Sequence, residues 1–125
     1  MENNNKDIRH LMAMLQYIDE IENIESRQPL DKTLGDHDVE LSAILMKLSQ
    51  IGELVGRLSL NTADDYPDVP WRKIKNLRNV IAHDYESIKL DIIRDVLTKF
   101  LPELKQQLPM IIDRETKRTR FEYEN

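Results

Sequence analysis

The stretch from Trp71 to Tyr85, WRKIKNLRNVIAHDY, holds the side chains best suited to chemistry. On a helical wheel, at about 100° per residue, Ile74, Leu77 and Ile81 fall on one side with Trp71 at its edge. That side should face a core. Arg72, Asn76, Asn79 and His83 step by four, three and four along the opposite side. A guanidinium, two amides and an imidazole in one row make a dense surface of hydrogen-bond donors. The plain reading of such a row is a solvated helix face. Two details weigh against it: no carboxylate dilutes the row, and the histidine of the last turn lies beside Tyr85.

Charge singles out the same stretch. The chain carries −5 overall, yet residues 69–83 hold four basic side chains (Arg72, Lys73, Lys75, Arg78) and no acid. Residues 1–68 carry 6 basic against 14 acidic side chains, and residues 84–125 carry 8 against 9. A generic nucleic-acid binder should be basic throughout, because phosphate neutralisation dominates that affinity. This chain is not one. If it meets a phosphate, it does so at the local basic stretch.

Several other chemistries are excluded. There is no cysteine, hence no disulfide, thiolate metal site or cysteine nucleophile. No Gly-rich phosphate loop, H-E-x-x-H string or paired carboxylates of nucleotidyltransferase type occur. His37, in Gly35-Asp36-His37-Asp38, could bind a metal weakly, but helix capping explains those residues better. No cofactor or metal is expected. His10, near Met14 and Tyr17, reads as a partly covered surface residue. The 125 residues suffice for one core. Few glycines and prolines argue against an all-β fold or disorder. No apolar run approaches a membrane span, and Met1–His10 is too polar for a signal peptide. The expectation is a soluble, cytoplasmic domain.

The elements that must position these residues are helices with short joints. Ile8, Leu11, Leu15, Ile18 and Ile21 predict a first helix over about Asp7–Ser26, ended by Gln28-Pro29-Leu30. A polar joint, Asp31–Asp36, leads to a second helix capped by Asp36 or Asp38 and reaching about Ser59. Its Ile44, Leu48, Ile51, Val55 and Leu58 form one seam. Leu41, Leu45 and Leu54 widen that seam, as a helix with two neighbours requires. Asn61–Pro70 reads as the main break, and Asp68 as the cap of a third helix over Val69–His83. A fourth helix should start near Glu86 or Ser87 and run on through a kink, or a lost hydrogen bond, at Pro102. The fold expected is all-α, an antiparallel four-helix bundle over 1–112, dimeric. Residues 113–125 would form a charged tail, a helical extension or a short fifth helix.

The string Arg78-Asn79-Val80-Ile81-Ala82-His83-Asp84-Tyr85 reads R-x-x-x-x-H-x-Y, with a polar residue directly after the arginine. It resembles the signature of the HEPN superfamily, and more closely that of the HepT-like toxins of prokaryotic toxin–antitoxin pairs. Ile51-Gly52-Glu53 before an apolar helix end, the Pro70-Trp71 start and the Ile/Leu-rich helix after Tyr85 are similar to that family's layout. The residues beyond Asp113 lie outside the resemblance.

The resemblance implies a metal-independent RNA endonuclease whose active site forms between two protomers, in a type VII-like HEPN/MNT pair. Arg78 and His83 would be catalytic. Arg72, Lys75, Asn76 and Asn79 would support them at the RNA phosphates. Tyr85 would be the residue adenylated by a partner MNT-type nucleotidyltransferase antitoxin. The chemistry agrees in part. Cleavage through the 2′-OH needs a base, an acid and positive charge at the phosphate; histidine can serve either proton role and arginine the charge. Asn79, one turn before His83, could fix its ring or bond the phosphate. Two protomers meeting at this helix would supply the two histidines that acid and base work together require. Arg78 and His83 point about 140° apart on a straight helix. Either the helix ends before His83, or the arginine arm wraps round, or Arg78 serves the facing protomer. Tyr85 should keep its hydroxyl in the same cleft as the imidazole. The alternative reading is a non-catalytic helical module that binds a nucleotide or docks a nucleotidyltransferase.

Overall fold

The computed structural model describes residues 2–36 and 39–124. Among them there are seven α-helices, one π-helical turn and no strand. The helices are α1 (Glu2–Glu25), α2 (Leu30–Asp36), α3 (Val39–Gly56), α4 (Leu60–Asp65), α5 (Trp71–Asp84), α6 (Leu90–Asp95) and α7 (Leu101–Glu124), with the π turn Val96–Phe100 joining the last two. The all-α expectation holds.

α3 lies at the centre, with α5 packed on one side of it and α1 on another, and α7 packs on α1. Its widened apolar stripe serves those two neighbours: Leu41, Ile44, Leu45, Leu48, Ile51, Gly52, Leu54 and Val55 are all buried. The buried face of α1 is Leu11, Met14, Ile18, Ile21 and Ile24, while Ile8 and Leu15 are half-buried. Methionine is as apolar and adaptable as leucine, so the true stripe is turned slightly from the aliphatic one.

The joints hold more helix than their composition suggests. Residues 31–36 form α2 instead of an irregular joint. The Pro29 carbonyl accepts from the N–H groups of Lys32 and Thr33, and Gln28 donates to Thr33 Oγ1. Thr33 and Leu34 are buried, and that burial overrides a loop-like sequence. His37 and Asp38 lie outside the described residues, so neither the proposed cap nor the weak metal reading can be placed. α3 ends at Gly56, and the expected break contains α4, capped by Ser59 Oγ, which accepts from Thr62 N–H at 3.3 Å. The Asp7 carboxylate, 2% exposed, fixes that cap from α1. It accepts from Ser59 N–H at 3.1 Å, Ser59 Oγ at 2.6 Å and Thr62 Oγ1 at 2.6 Å.

Asp68 does not cap α5. Pro70 holds the N-cap position without a side-chain cap bond, and Trp71 Nε1 donates to the Tyr66 carbonyl. The last long helix starts at Leu90, later than expected, because Asp84–Ser87 close a turn and Ile88 is buried in the joint. Pro102 does not end it. The helix widens to a π turn just before the proline, with Leu101 N–H bonded to the Val96 carbonyl. Such a turn absorbs the strain of a helical proline locally. Residues 113–124 continue α7 without interruption and bury Glu115 and Thr119. Tyr66 donates to Glu115 at 2.7 Å, and Arg118 pairs with Asp65 at 3.0 Å, tying this end to the α4–α5 joint. No helix among the described residues is long and apolar enough to cross a membrane.

Candidate active site

α5 turns Ile74 and Ile81 inward and leaves Arg72, Asn76, Asn79 and His83 exposed, as the wheel requires. Arg78 lies between these faces, against α3. A Cβ built on Gly52 would meet Arg78 Cβ at 2.7 Å, closer than real Cβ atoms come, and the Ile74 carbonyl at 3.0 Å, tight enough that the backbone would have to give. Gly52 is therefore what lets α3 and α5 close at this point. Glycine inside a helix costs about 1 kcal/mol against alanine unless packing needs it, and here packing does.

The close approach brings Glu53 Oε1 to 2.5 Å from Arg78 Nε. The two side chains are 43% and 36% exposed, so the pair orients the guanidinium more than it stabilises the fold. Arg78 Nη1 also donates to Asn79 Oδ1 at 3.2 Å. Two of its five N–H groups are thus used in aiming it. Glu53, on α3, thus pairs across the helix interface with Arg78 of the basic stretch.

The helix does not end before His83: α5 runs to Asp84. The arginine arm leans instead toward Asn79, which shares a row with His83 and lies one turn before it. This narrows the 140° divergence without bringing guanidinium and imidazole into one pocket. The cleft at Arg78, about 240 Å³, is lined by Gly52, Glu53, Gly56, Arg57, Lys75, Arg78 and Asn79. His83 stands outside it, exposed on the last turn. Arg72 is exposed on the same row, and Asn76 lines a second, apolar groove on the other flank of α5. That groove, about 290 Å³, runs between α5 and the α6–α7 rod and includes Leu77, Val80, Ile92 and Phe100.

Tyr85 is the C-cap of α5, 47% exposed, and its hydroxyl donates to Ser42 Oγ at 2.8 Å. Tyr85, like His83, is not among the residues that line the Arg78 cleft. Ser42 lies in the first turns of α3, whereas Gly52, Glu53 and Gly56 lie in its last turns. Arg57 and Ser42 were not foreseen. Arg57 follows Gly56 in a helix that carries glycines four residues apart, and that spacing was the available sign of a bare α3 flank. Ser42 had no such sign. Among the described residues no group of three His, Asp or Glu side chains is placed to hold a metal ion.

Comparison with known proteins covers most of this framework. The family described as "Ribonuclease HepT-like" matches residues 14–111. "Putative RNase MJ0127" of Methanocaldococcus jannaschii is 30% identical over 108 residues, spanning 86% of this chain and 88% of that protein. "Putative RNase TTE0752" of Caldanaerobacter subterraneus subsp. tengcongensis is 32% identical over 73 residues, 58% of this chain and 65% of that one. "Putative RNase MJ1216" of M. jannaschii is 23% identical over 108 residues, 86% and 88% of the two chains. No solved structure matches significantly. The matched span holds the α3–α5 packing, the aimed Arg78 and the exposed His83, and the chain belongs to the HepT-like family of the HEPN superfamily.

Proposed function

We propose that this chain is a metal-independent ribonuclease, the toxin of a type VII-like HEPN/MNT toxin–antitoxin pair, acting as a homodimer. The observation that carries the reading is Arg78, oriented by Glu53 and Asn79 at an open cleft within two turns of a solvent-facing His83. In the reaction a histidine takes the proton of an RNA 2′-OH, and the freed oxygen attacks the adjacent phosphorus. The P–O5′ bond breaks, and a second proton donor protonates the leaving oxygen. Arg78 stabilises charge on the phosphate oxygens with parallel N–H donors. Because His83 does not line the Arg78 cleft of its own chain, two copies apposed along α5 would supply both proton carriers and set an imidazole near the facing guanidinium. Arg72, Lys75, Asn76 and Asn79 line the approach for the strand.

Silencing would come from a partner MNT-type nucleotidyltransferase that esterifies adenylate to Tyr85. The added anion lies just past His83, where RNA phosphates must pass, and repels them. Expression of the wild type without its partner, against His83→Ala, tests the reading: RNA cleavage and growth arrest by the first and not the second support it. Equal effects from both would discard His83 as a catalytic residue.

The apolar groove favours a second reading, a non-catalytic module that docks a nucleotidyltransferase or binds a nucleotide. Under that reading the purified chain cuts no RNA, yet still binds its partner after His83→Ala.

A further inference from the structure

We infer that Arg57 and Lys75 form a phosphate subsite beside Arg78, which holds the neighbouring phosphodiester of a single RNA strand. This rests on the ribonuclease reading for the role of Arg78, and it names where the strand continues. Arg57 is placed by the end of α3: its N–H bonds the Leu54 carbonyl, closing a tight turn just after Gly56. Lys75 comes from the facing helix, one turn before Arg78 and Asn79. A Cβ added at Gly56 would lie 3.6 Å from Lys75 Cε, so the lysine stem runs along the bare backbone of that glycine. Both side chains line the same cleft as Arg78.

Charge decides what the cleft can take. Its lining carries three cations and one carboxylate, and Glu53 is committed to Arg78. Neither Arg57 nor Lys75 has an ion-pair partner among the described residues. Elsewhere this acidic chain pairs cations across helices, as in Lys47–Glu20, Lys105–Glu22 and Arg118–Asp65. Two uncompensated cations in a polar cleft concentrate anions there. Lys75 and Arg78 are three residues apart on one helix face, with Cβ atoms about 5–6 Å apart. That separation suits successive phosphates of one strand better than a single compact anion. Arg57 lines the same cleft from the end of α3.

Such a subsite acts on strand affinity and register, not on the bond being broken. The test uses an intact His83→Ala chain, so that RNA survives, and a labelled single-stranded RNA octamer titrated at several salt concentrations. Arg57→Gln and Lys75→Gln in that background should each flatten the slope of log K against log salt by about 0.7, one single-strand phosphate contact. The double variant should flatten it by about twice as much, and Arg57→Lys should restore the slope. In the cleaving background the same changes should raise KM several-fold and leave kcat within twofold. Unchanged slopes in both single variants, or no RNA binding at all, would overturn the subsite. A fall in kcat with KM constant would do so too. If His83→Ala still cuts RNA, the ribonuclease reading loses its catalytic residue, and the slopes read on a 2′-deoxy octamer, which lacks the attacking hydroxyl, still decide the subsite.

Discussion

The Tyr85 hydroxyl is bonded to Ser42 Oγ, eleven residues before the Glu53 that aims Arg78 on the same helix. At 1.5 Å per residue the two anchor points are about 16 Å apart along α3. An adenylate on Tyr85 carries its phosphate on the bonded oxygen itself. Esterification removes the proton that Tyr85 donates to Ser42, and the phosphate is attached beside the early end of α3. The proposed modification at Tyr85 and the proposed phosphate site at Arg78 are therefore spatially separate within one chain, and His83 lies two residues from Tyr85.

That separation shapes the first prediction. Co-expressed with the proposed nucleotidyltransferase partner, the chain should gain about 329 Da per adenylate, the mass of AMP less water. Tyr85→Phe should remain folded and lose the gain. Ser42→Ala should keep it, and should be modified at least as fast, since its hydroxyl no longer competes for the tyrosine. Peptide mapping that puts adenylate on another residue would end the Tyr85 assignment.

A second prediction concerns the proposed catalytic pair, Arg78 and His83. Arg78→Ala and His83→Ala should each lower RNA cleavage by at least about 100-fold, the usual lower bound for losing a proton carrier or a charge stabiliser. Both residues are substantially solvent-facing, so melting should move little. Glu53→Gln should lower kcat by less, about tenfold, because it frees the guanidinium without removing it. Cleavage should persist in EDTA, since under the proposed mechanism imidazoles and a guanidinium would supply the acid, base and charge. Loss of activity on chelation would require a different mechanism.

Much of this framework was legible in periodicity, because burial of a helix face is written locally. The Ile44–Leu48–Ile51–Val55 seam and the two faces of α5 are examples. What escaped depends on partners distant in sequence. α4 exists because Asp7 clamps Ser59 and Thr62 across more than fifty residues. α2 exists because Thr33 and Leu34 find a core, although their neighbours are polar. In the site, Arg78 and His83 were recognisable from their spacing, and their packing was not. The contact of Arg78 with Glu53 depends on how closely Gly52 lets two helices approach, and no spacing rule encodes that distance.

The two glycines of α3 supply a third prediction, with opposite signs for one substitution. Gly52→Ala must displace Arg78 Cβ and the α5 backbone. Overpacking of that kind costs about 1–3 kcal/mol, more than the roughly 1 kcal/mol of helix propensity it gains. Gly56→Ala meets Lys75 Cε at an ordinary contact distance and should stabilise the chain by about 0.4–1 kcal/mol. Chemical denaturation of both variants measures the difference. A Gly52→Ala chain as stable as wild type would mean that α3 and α5 are not tightly apposed at Arg78.

The last prediction uses a group far from the site. Tyr66 is pushed up to about 12, first by burial and then by its hydrogen bond to Glu115 and the repulsion of that carboxylate; Arg114 and Arg118 oppose the shift. The phenol is an acid whose folded pKa lies above its unfolded value of about 10. Its contribution is therefore complete below pH 10 and is lost as pH rises from 10 toward 12, where the unfolded chain ionises and the folded one resists. Absorbance at 295 nm should show one of the four tyrosines ionising late, near 12 or together with unfolding. Tyr66→Phe should remove that late step and reduce the loss of melting temperature between pH 10 and 12. At neutral pH it should cost about 1–3 kcal/mol, because Glu115, only 1% exposed, loses its 2.7 Å donor in a place water does not reach. A folded chain in which Tyr66 shows no late ionisation would mean that Glu115 of α7 does not hold Tyr66.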